Sequence, residues 1–472
     1  MRIDFGNRLI LCRFTFLARR WHEEEAETET RMKRLILALL LSNFLTPLAA
    51  RRLTLDDCMA YAVAHSTAVG QRQADLDSRR AELGESVAAL FPSVSASSGG
   101  TTNFGRSIDP ATNTYTNTST FGNTYALSGS MPLFAGLQGI NAVRAAKVAR
   151  SMGAADLEAA RDEAALQTMN AYMDVVYYDG AVRLAREQLA TSRETLRQVR
   201  RLEELGRKSA ADVAEIESQE AGFDYLLTEQ QNNLDLARIR LREVMNYPQH
   251  EPLEIETAID LEARPVAATI GEVLDHARGL NPQLRAAALN SRYQQLQYAR
   301  AKGGYAPSLY LYGGYNTSFY TDFDNRSAYD RFWTQFRNNR GSYVQVGLSV
   351  PLFSGLYRRT NKRRARNALR SAELQQQAVE RSVESEIART YRQMEGYGKQ
   401  FVQGDKKVRA AQLAYDGVAR KFEKGLASAI ELRTAANTLL QAQSERLQAR
   451  LQYIVKCRMV DYYNGTPLVE NR

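Results

Sequence analysis

Few side chains in this 472-residue chain stand at spacings that perform chemistry. The four histidines, at 22, 65, 250 and 276, are scattered. No HExxH, CxxC, phosphate loop or GxSxG motif occurs. Gly99-Gly100 and Gly303-Gly304 are lone pairs that cradle nothing. No catalytic residue, metal or cofactor is therefore predicted. The spacing that does recur involves two carboxylates. Asp212 follows Ser209 by three residues and Glu431 follows Ser428 by three, each just after a glycine, Gly206 or Gly425. A glycine accepts the positive φ at a helix end. A serine caps the helix that follows, and an acid in that helix's first turn is stabilised by its dipole.

These turns belong to an internal duplication. Leu205 to Val213, with Arg207, Lys208 and Ser209 at its centre, recurs 219 residues later from Lys424 through Gly425, Leu426, Ala427 and Ser428 to Leu432. At the same offset MPLFAGL, with Pro132, Leu133, Phe134 and Gly136, recurs as VPLFSGL, with Pro351, Leu352, Phe353 and Gly355. Met245-Asn246-Tyr247-Pro248 is echoed around Asn464, and Leu90-Phe91-Pro92-Ser93 at Tyr305–Ser308. The chain is read as two units, 51–262 and 263–472.

Each unit has one grammar. A helical pattern (54–90; 270–304) leads into polar alternating stretches read as strands, near 93–104, 119–132, 307–320 and 342–352. In the last, Val344, Val346, Leu348 and Val350 face away from Tyr343, Gln345, Gly347 and Ser349. Polar loops Arg106–Thr118 and Thr321–Arg340 join the strands. Proline-free helical runs follow, from Gly136 to about Leu205 and from Gly355 to about Lys424. At 1.5 Å per residue each extends roughly 105 Å, longer than a globular core needs. The closing helices carry a heptad seam, from Val213 through Ile216 and Phe223 to Leu241 and Val244, and from Leu432 to Tyr463.

The ends are read separately. Met32-Lys33-Arg34, the apolar run Leu35–Leu41 and the small residues to Ala50 form a secretory signal over 32–50. Residues 1–31 then read as a mis-called extension ahead of Met32. Cys58 follows Asp56-Asp57, which no lipid-anchor site tolerates. Cys58 and Cys457 fit either a disulfide joining the ends of the mature chain or two separate buried thiols. The net charge of +9, from 62 basic and 53 acidic residues, is interleaved along helices and predicts no nucleic-acid partner. The exception is Arg358–Arg366, with six basic residues in nine, which could meet lipid headgroups.

Strands of this length cross an outer membrane when tilted. Four of them cannot close a barrel, and an open edge in lipid is costly. Two chains give 8 strands, a filled barrel, and three give 12, wide enough for a channel. The alternative is a non-conducting periplasmic coiled-coil protein that spaces the envelope.

The stretch Leu53–Ala62, both PLF-x-G elbows and both glycine turns resemble the TolC family of outer-membrane efflux proteins, over nearly all of residues 53–467. The resemblance implies a mixed α+β fold and a homotrimer, with a 12-stranded β-barrel in the outer membrane. A 12-helix α-barrel would continue it through the periplasm, with a belt part-way down including Tyr247–Thr269. It implies passive exit of solutes in tripartite efflux or type I secretion, together with an inner-membrane pump and a periplasmic adaptor. The turns would form the tip, with Leu205–Ser209 and Lys424–Ser428 as the adaptor contact. A trimer would place one carboxylate per chain near its axis, a ring that favours cations. Glu431 matches the first acidic gate position of the family. Thr434 stands at the second, where an acid is expected.

Overall fold

The computed structural model describes residues 52–108, 113–117, 119–257, 268–324 and 326–469. The expected extension 1–31, signal 32–50, unit boundary at 262/263 and residues 258–267 of the expected belt lie outside these.

Both long helices form where the absence of proline predicts them. Helix α3 is Gln138–Glu204 and helix α8 is Tyr357–Glu423, 67 residues each. Helix α4, Ala210–Met245, and helix α9, Ala429–Tyr463, return alongside them. The seam is buried at Val213, Ile216, Phe223, Leu234, Ala237 and Leu241, but its last turn buries Met245 in place of Val244. On α9 it is buried at Leu432, Leu439, Ala442, Ala449, Val460 and Tyr463. Arg446 leaves the seam to pair with Asp405 at 2.6 Å.

The helical patterns before the strands are each broken in two, where a single helix of about 37 residues was expected from their few glycines and prolines. Helix α1 (Leu55–His65) gives way to α2 (Thr67–Ala88) at Ser66, and α5 (Ile270–Leu280) gives way to α6 (Pro282–Gly303) at Asn281. Ser66 and Asn281 adopt extended ψ angles and cap the second helix with their side chains. Pro282 lacks the N–H that would have continued α5.

Strands β1 (Ser93–Asn103), β4 (Thr120–Ala135), β5 (Ser308–Asp322) and β6 (Gly341–Ser349) form one antiparallel sheet in the order β1-β4-β5-β6. The central joint, β4 with β5, pairs the last strand of the first unit with the first strand of the second. The first elbow proline does not end its strand: pairing continues past Pro132 to Ala135, with a register shift between Pro132 and Phe134 that bulges Leu133. A bulge absorbs the missing donor. The second strand does stop, at Ser349, before Pro351. The expected loops carry structure too: strands β2 (Arg106–Ile108) and β3 (Tyr115–Asn117) pair, and helix α7 (Phe332–Asn338) follows a 3-10 turn at Arg326–Ala328.

The pleat sorts the sheet into two faces. One carries Val94, Leu127, Leu311, Val344, Val346 and Leu348, with Tyr125 and Phe319 beyond them on the side away from the elbows. The other carries mostly serines, threonines and glycines with Tyr310, Tyr312 and Tyr343. Val94, Leu127, Val344, Val346 and Leu348 of the first face remain exposed in the single chain, and Leu311 is half-buried. Among the described residues no helix is long and apolar enough to cross a membrane.

Where the helices meet, small clusters hold them. Val273, Ala277, Val383, Ile387, Met394, Cys457, Val460 and Tyr463 pack together from α5, α8 and α9. Truncating Ile387, 1% exposed, would cost about 2–5 kcal/mol.

Candidate functional site

The two glycine turns end the long helices in the same way. The N–H of Gly206 donates to the carbonyl of Glu203 at 2.7 Å, and that of Arg207 to Leu202 at 2.8 Å. Gly425 and Leu426 repeat the pattern onto Phe422 and Lys421 at 3.0 and 2.8 Å. This double bond needs a left-handed residue, and both glycines provide it, at φ +69° and +74°. Four residues past the expected Leu205 and Lys424 ends, at Ser209 and Ser428, the capping boxes begin. The N–H of Asp212 donates to Ser209 Oγ at 3.1 Å while the N–H of Ser209 donates to Asp212 Oδ2 at 3.1 Å. Glu431 and Ser428 do the same at 3.2 and 2.8 Å. The bonds from Ser209 hold the Asp212 carboxyl below the usual carboxylate range. Each acid is thus first a helix cap. One oxygen is committed, and among the described residues neither carboxylate forms an ion pair with a cation.

The turns are bound side by side. Val199, Val213 and Ile216 of the first hairpin form one cluster with Phe422, Ala429 and Leu432 of the second. Lys208 Nζ lies 3.9 Å from the Phe422 ring centroid, and Arg433 pairs with Glu215 at 2.6 Å. Sequence reasoning missed both ties, because nothing local links residues over two hundred positions apart. Beyond the cluster, Leu205, Leu426 and Ile430 are exposed, at 67%, 74% and 58%. Thr434 is exposed and spends its hydroxyl on the carbonyl of Ile430 at 2.8 Å, so it brings no acid beside Glu431.

At the elbows two residues in succession take positive φ. Gly136 and Leu137 are at +60° and +61°, and Gly355 and Leu356 at +56° and +66°. The first elbow is packed: a Cβ on Gly136 would sit 2.2 Å from the carbonyl oxygen of Gly303 and 2.7 Å from Ala306 Cβ. The second is open, with nothing within 4 Å of that position on Gly355. Leu133 and Phe134 are 47% and 44% exposed, and Leu352 and Phe353 93% and 83%. The basic run Arg358–Arg366 occupies the first turns of α8, and among the described residues none of its cations pairs with a carboxylate.

Of the two alternatives for Cys58 and Cys457, the structure shows the separate buried thiols and no disulfide. Both thiols are free and buried. Cys457 faces the α5/α8 cluster, while desolvation pushes the Cys58 thiol up to about 12. Their helices do touch, through Arg458 and Asp56 at 3.6 Å. Near the same level, Tyr462 donates to Asp162 at 2.7 Å and Tyr463 to Glu386 at 2.9 Å. Among the described residues no group of His, Cys, Asp and Glu could hold a metal.

The family model described as outer membrane efflux protein matches residues 60–247 and 273–457, one segment in each unit. The outer membrane efflux protein BepC of Brucella suis is 23% identical over 419 residues, 88% of this chain and 86% of that protein. TolC of Escherichia coli is 24% identical over 52% of this chain and 50% of its own. Among solved structures, VceC of Vibrio cholerae superposes with a TM-score of 0.74 at 16% identity, covering 88% of this chain and 96% of that one. The open state of MtrE of Neisseria gonorrhoeae gives 0.70 at 19%, covering 87% and 88%. With the match spanning both repeats and the fold shared, the chain belongs to the outer membrane efflux protein family, that of TolC, and resides in the outer membrane.

Proposed function

We propose that the chain forms a homotrimeric exit duct, in which twelve strands close a barrel and twelve helices continue it into the periplasm. The carrying observation is the sheet's pair of open edges. β4 of the first unit pairs with β5 of the second inside the chain, while β6 and β1 are left unpaired. Every residue of β1 is exposed. A β6-to-β1 joint with the next chain would repeat the β4-to-β5 joint, and such a head-to-tail contact closes into a ring. The elbows support the same arrangement. Gly136 is packed within the chain and its repeat, Gly355, is open, as a site filled by a neighbour would be. Three chains give a barrel wide enough to pass solutes, with the aliphatic face toward lipid and the serine- and threonine-rich face lining the lumen.

In this reading the tips are the periplasmic end. The exposed Leu205–Ser209 and Lys424–Ser428 turns receive the adaptor, which couples the duct to an inner-membrane pump. Three copies of Glu431 narrow the bore and favour cations. Light scattering of the purified protein in detergent should give the mass of three chains, and planar bilayers should show stepwise conductance. A monomeric or dimeric mass with no conductance would refute the duct in favour of an envelope spacer.

A further inference from the structure

The connection between β5 and β6 does not stand clear of the sheet. β6 begins at Gly341, opposite Asn316, so the last turns of β5 have no partner from it. Helix α7 takes that place. The buried Gln335 side chain accepts from the N–H of Tyr320 at 3.0 Å and donates to its carbonyl at 2.8 Å, as a neighbouring strand would. Thr317 Oγ1 donates to the carbonyl of Phe336 at 2.7 Å, and Asn339 to that of Ser318 at 2.9 Å. The edge is thereby satisfied, and the helix is fixed in place.

The side on which it lies is the informative part. Phe332 and Phe336 have ring centroids 6.0 and 5.4 Å from that of Tyr125, and Phe332 is 5.3 Å from Phe319. Tyr125 and Phe319 belong to the aliphatic face, just past Leu127 and Tyr315 on the side away from the elbows. Trp333 stacks edge-on to Phe332 and Phe336 yet is 66% exposed. Arg331, Arg337 and Arg340 are exposed, and among the described residues no carboxylate pairs with them. An amphipathic ring at the rim of an apolar band suits the membrane interface. Guanidinium groups bind phosphate in bidentate fashion.

We propose that α7 is a lipid-binding element of the outer leaflet: Trp333 enters the boundary between acyl chains and headgroups, and Arg331, Arg337 and Arg340 hold the phosphates of anionic lipids. The inference rests on the barrel reading above. Only two tryptophans occur in the chain, Trp21 and Trp333, so Trp21→Phe in the full-length protein leaves Trp333 as the sole reporter. In phosphatidylcholine vesicles, lipid brominated near the headgroup should quench Trp333 more strongly than lipid brominated near the terminal methyl. At equal mole fraction, phosphatidic acid brominated near the headgroup should be at least about fivefold more effective than the phosphatidylcholine, since even one basic side chain at an anionic surface contributes a factor of about five. Arg331→Gln/Arg337→Gln/Arg340→Gln should abolish that preference and keep the shallow quenching. Trp333 unquenched by either phosphatidylcholine, no preference in the parent, or a preference that survives the triple substitution would each overturn the inference. Val346→Trp with Trp21→Phe and Trp333→Phe tests the barrel itself. Quenched Trp at 346 with unquenched Trp333 refutes only the role of α7; neither quenched refutes the barrel.

Discussion

Gly136→Ala tests the first elbow, because two separable effects meet there. The residue holds φ +60°, and its Cβ would lie 2.2 Å from the carbonyl oxygen of Gly303 and 2.7 Å from Ala306 Cβ. Left-handed backbone costs an alanine roughly 1–2 kcal/mol. Forcing two close-packed backbones apart adds about 1–3 kcal/mol. The sum is about 2–5 kcal/mol. Gly206→Ala carries the strain alone, since nothing lies within 4 Å at φ +69°, and should cost about 1–2 kcal/mol. Gly303→Ala carries the overlap alone, partly offset by about 1 kcal/mol of helix propensity. With an unfolding entropy of about 2.1 cal/mol/K per residue, a chain of this size loses about 1 °C of midpoint per kcal/mol. Thermal unfolding in detergent, followed by far-UV circular dichroism at one protein concentration, should therefore rank Gly136→Ala clearly below Gly206→Ala. If the two are equal and Gly303→Ala is neutral or stabilising, the close approach does not exist. Gly355→Ala extends the test to the ring: it should exceed Gly206→Ala only if a neighbouring chain packs the second elbow as Gly303 packs the first.

Ser428→Ala should lower stability by about 1 kcal/mol through loss of the cap, measured in the same unfolding assay. Glu431→Ala should raise leak or alter cation block in planar bilayers, and Glu431→Gln separates charge from capping; unchanged conductance and cation response in both removes Glu431 from the gate. Burial lifts the Asp162 carboxyl above its ordinary 3.8, against the lowering effect of the Tyr462 hydrogen bond and with help from nearby Glu158. The folded state then binds the proton more tightly than the unfolded chain, so a penalty absent below 3.8 sets in as pH rises through the folded value. Asp162→Asn, which keeps an acceptor for Tyr462, should unfold later than the parent at neutral pH and alongside it in acid; a gap that widens on acidification contradicts this. With its thiol pushed up to about 12, Cys58 should resist maleimide in the folded protein and react on unfolding, and rapid native labelling would show that it is accessible.

What the sequence determined by itself was local or repeated. Positive-φ glycines at 206 and 425, serines poised to cap, proline-free runs and the heptad seam each act within a few residues, so their signals survive without the fold. The duplication at a 219-residue offset is likewise legible in the sequence alone. The breaks at Ser66 and Asn281 were partly legible, Pro282 being the overlooked sign, but segments otherwise poor in glycine and proline read as continuous helix. Tertiary structure alone decided the rest. It paired β4 with β5 across the two units and left β1 and β6 open, a choice made by satisfying backbone groups rather than by propensity. It carried pairing through Pro132 by a bulge, buried the two cysteines as free thiols, and locked Lys208 over Phe422. It also turned an expected polar loop into α7 on the aliphatic face, where the Gln335 amide does the work of a strand. Contacts between residues hundreds of positions apart depend on which surfaces are still unsatisfied once local structure has formed, and a one-dimensional pattern does not record that.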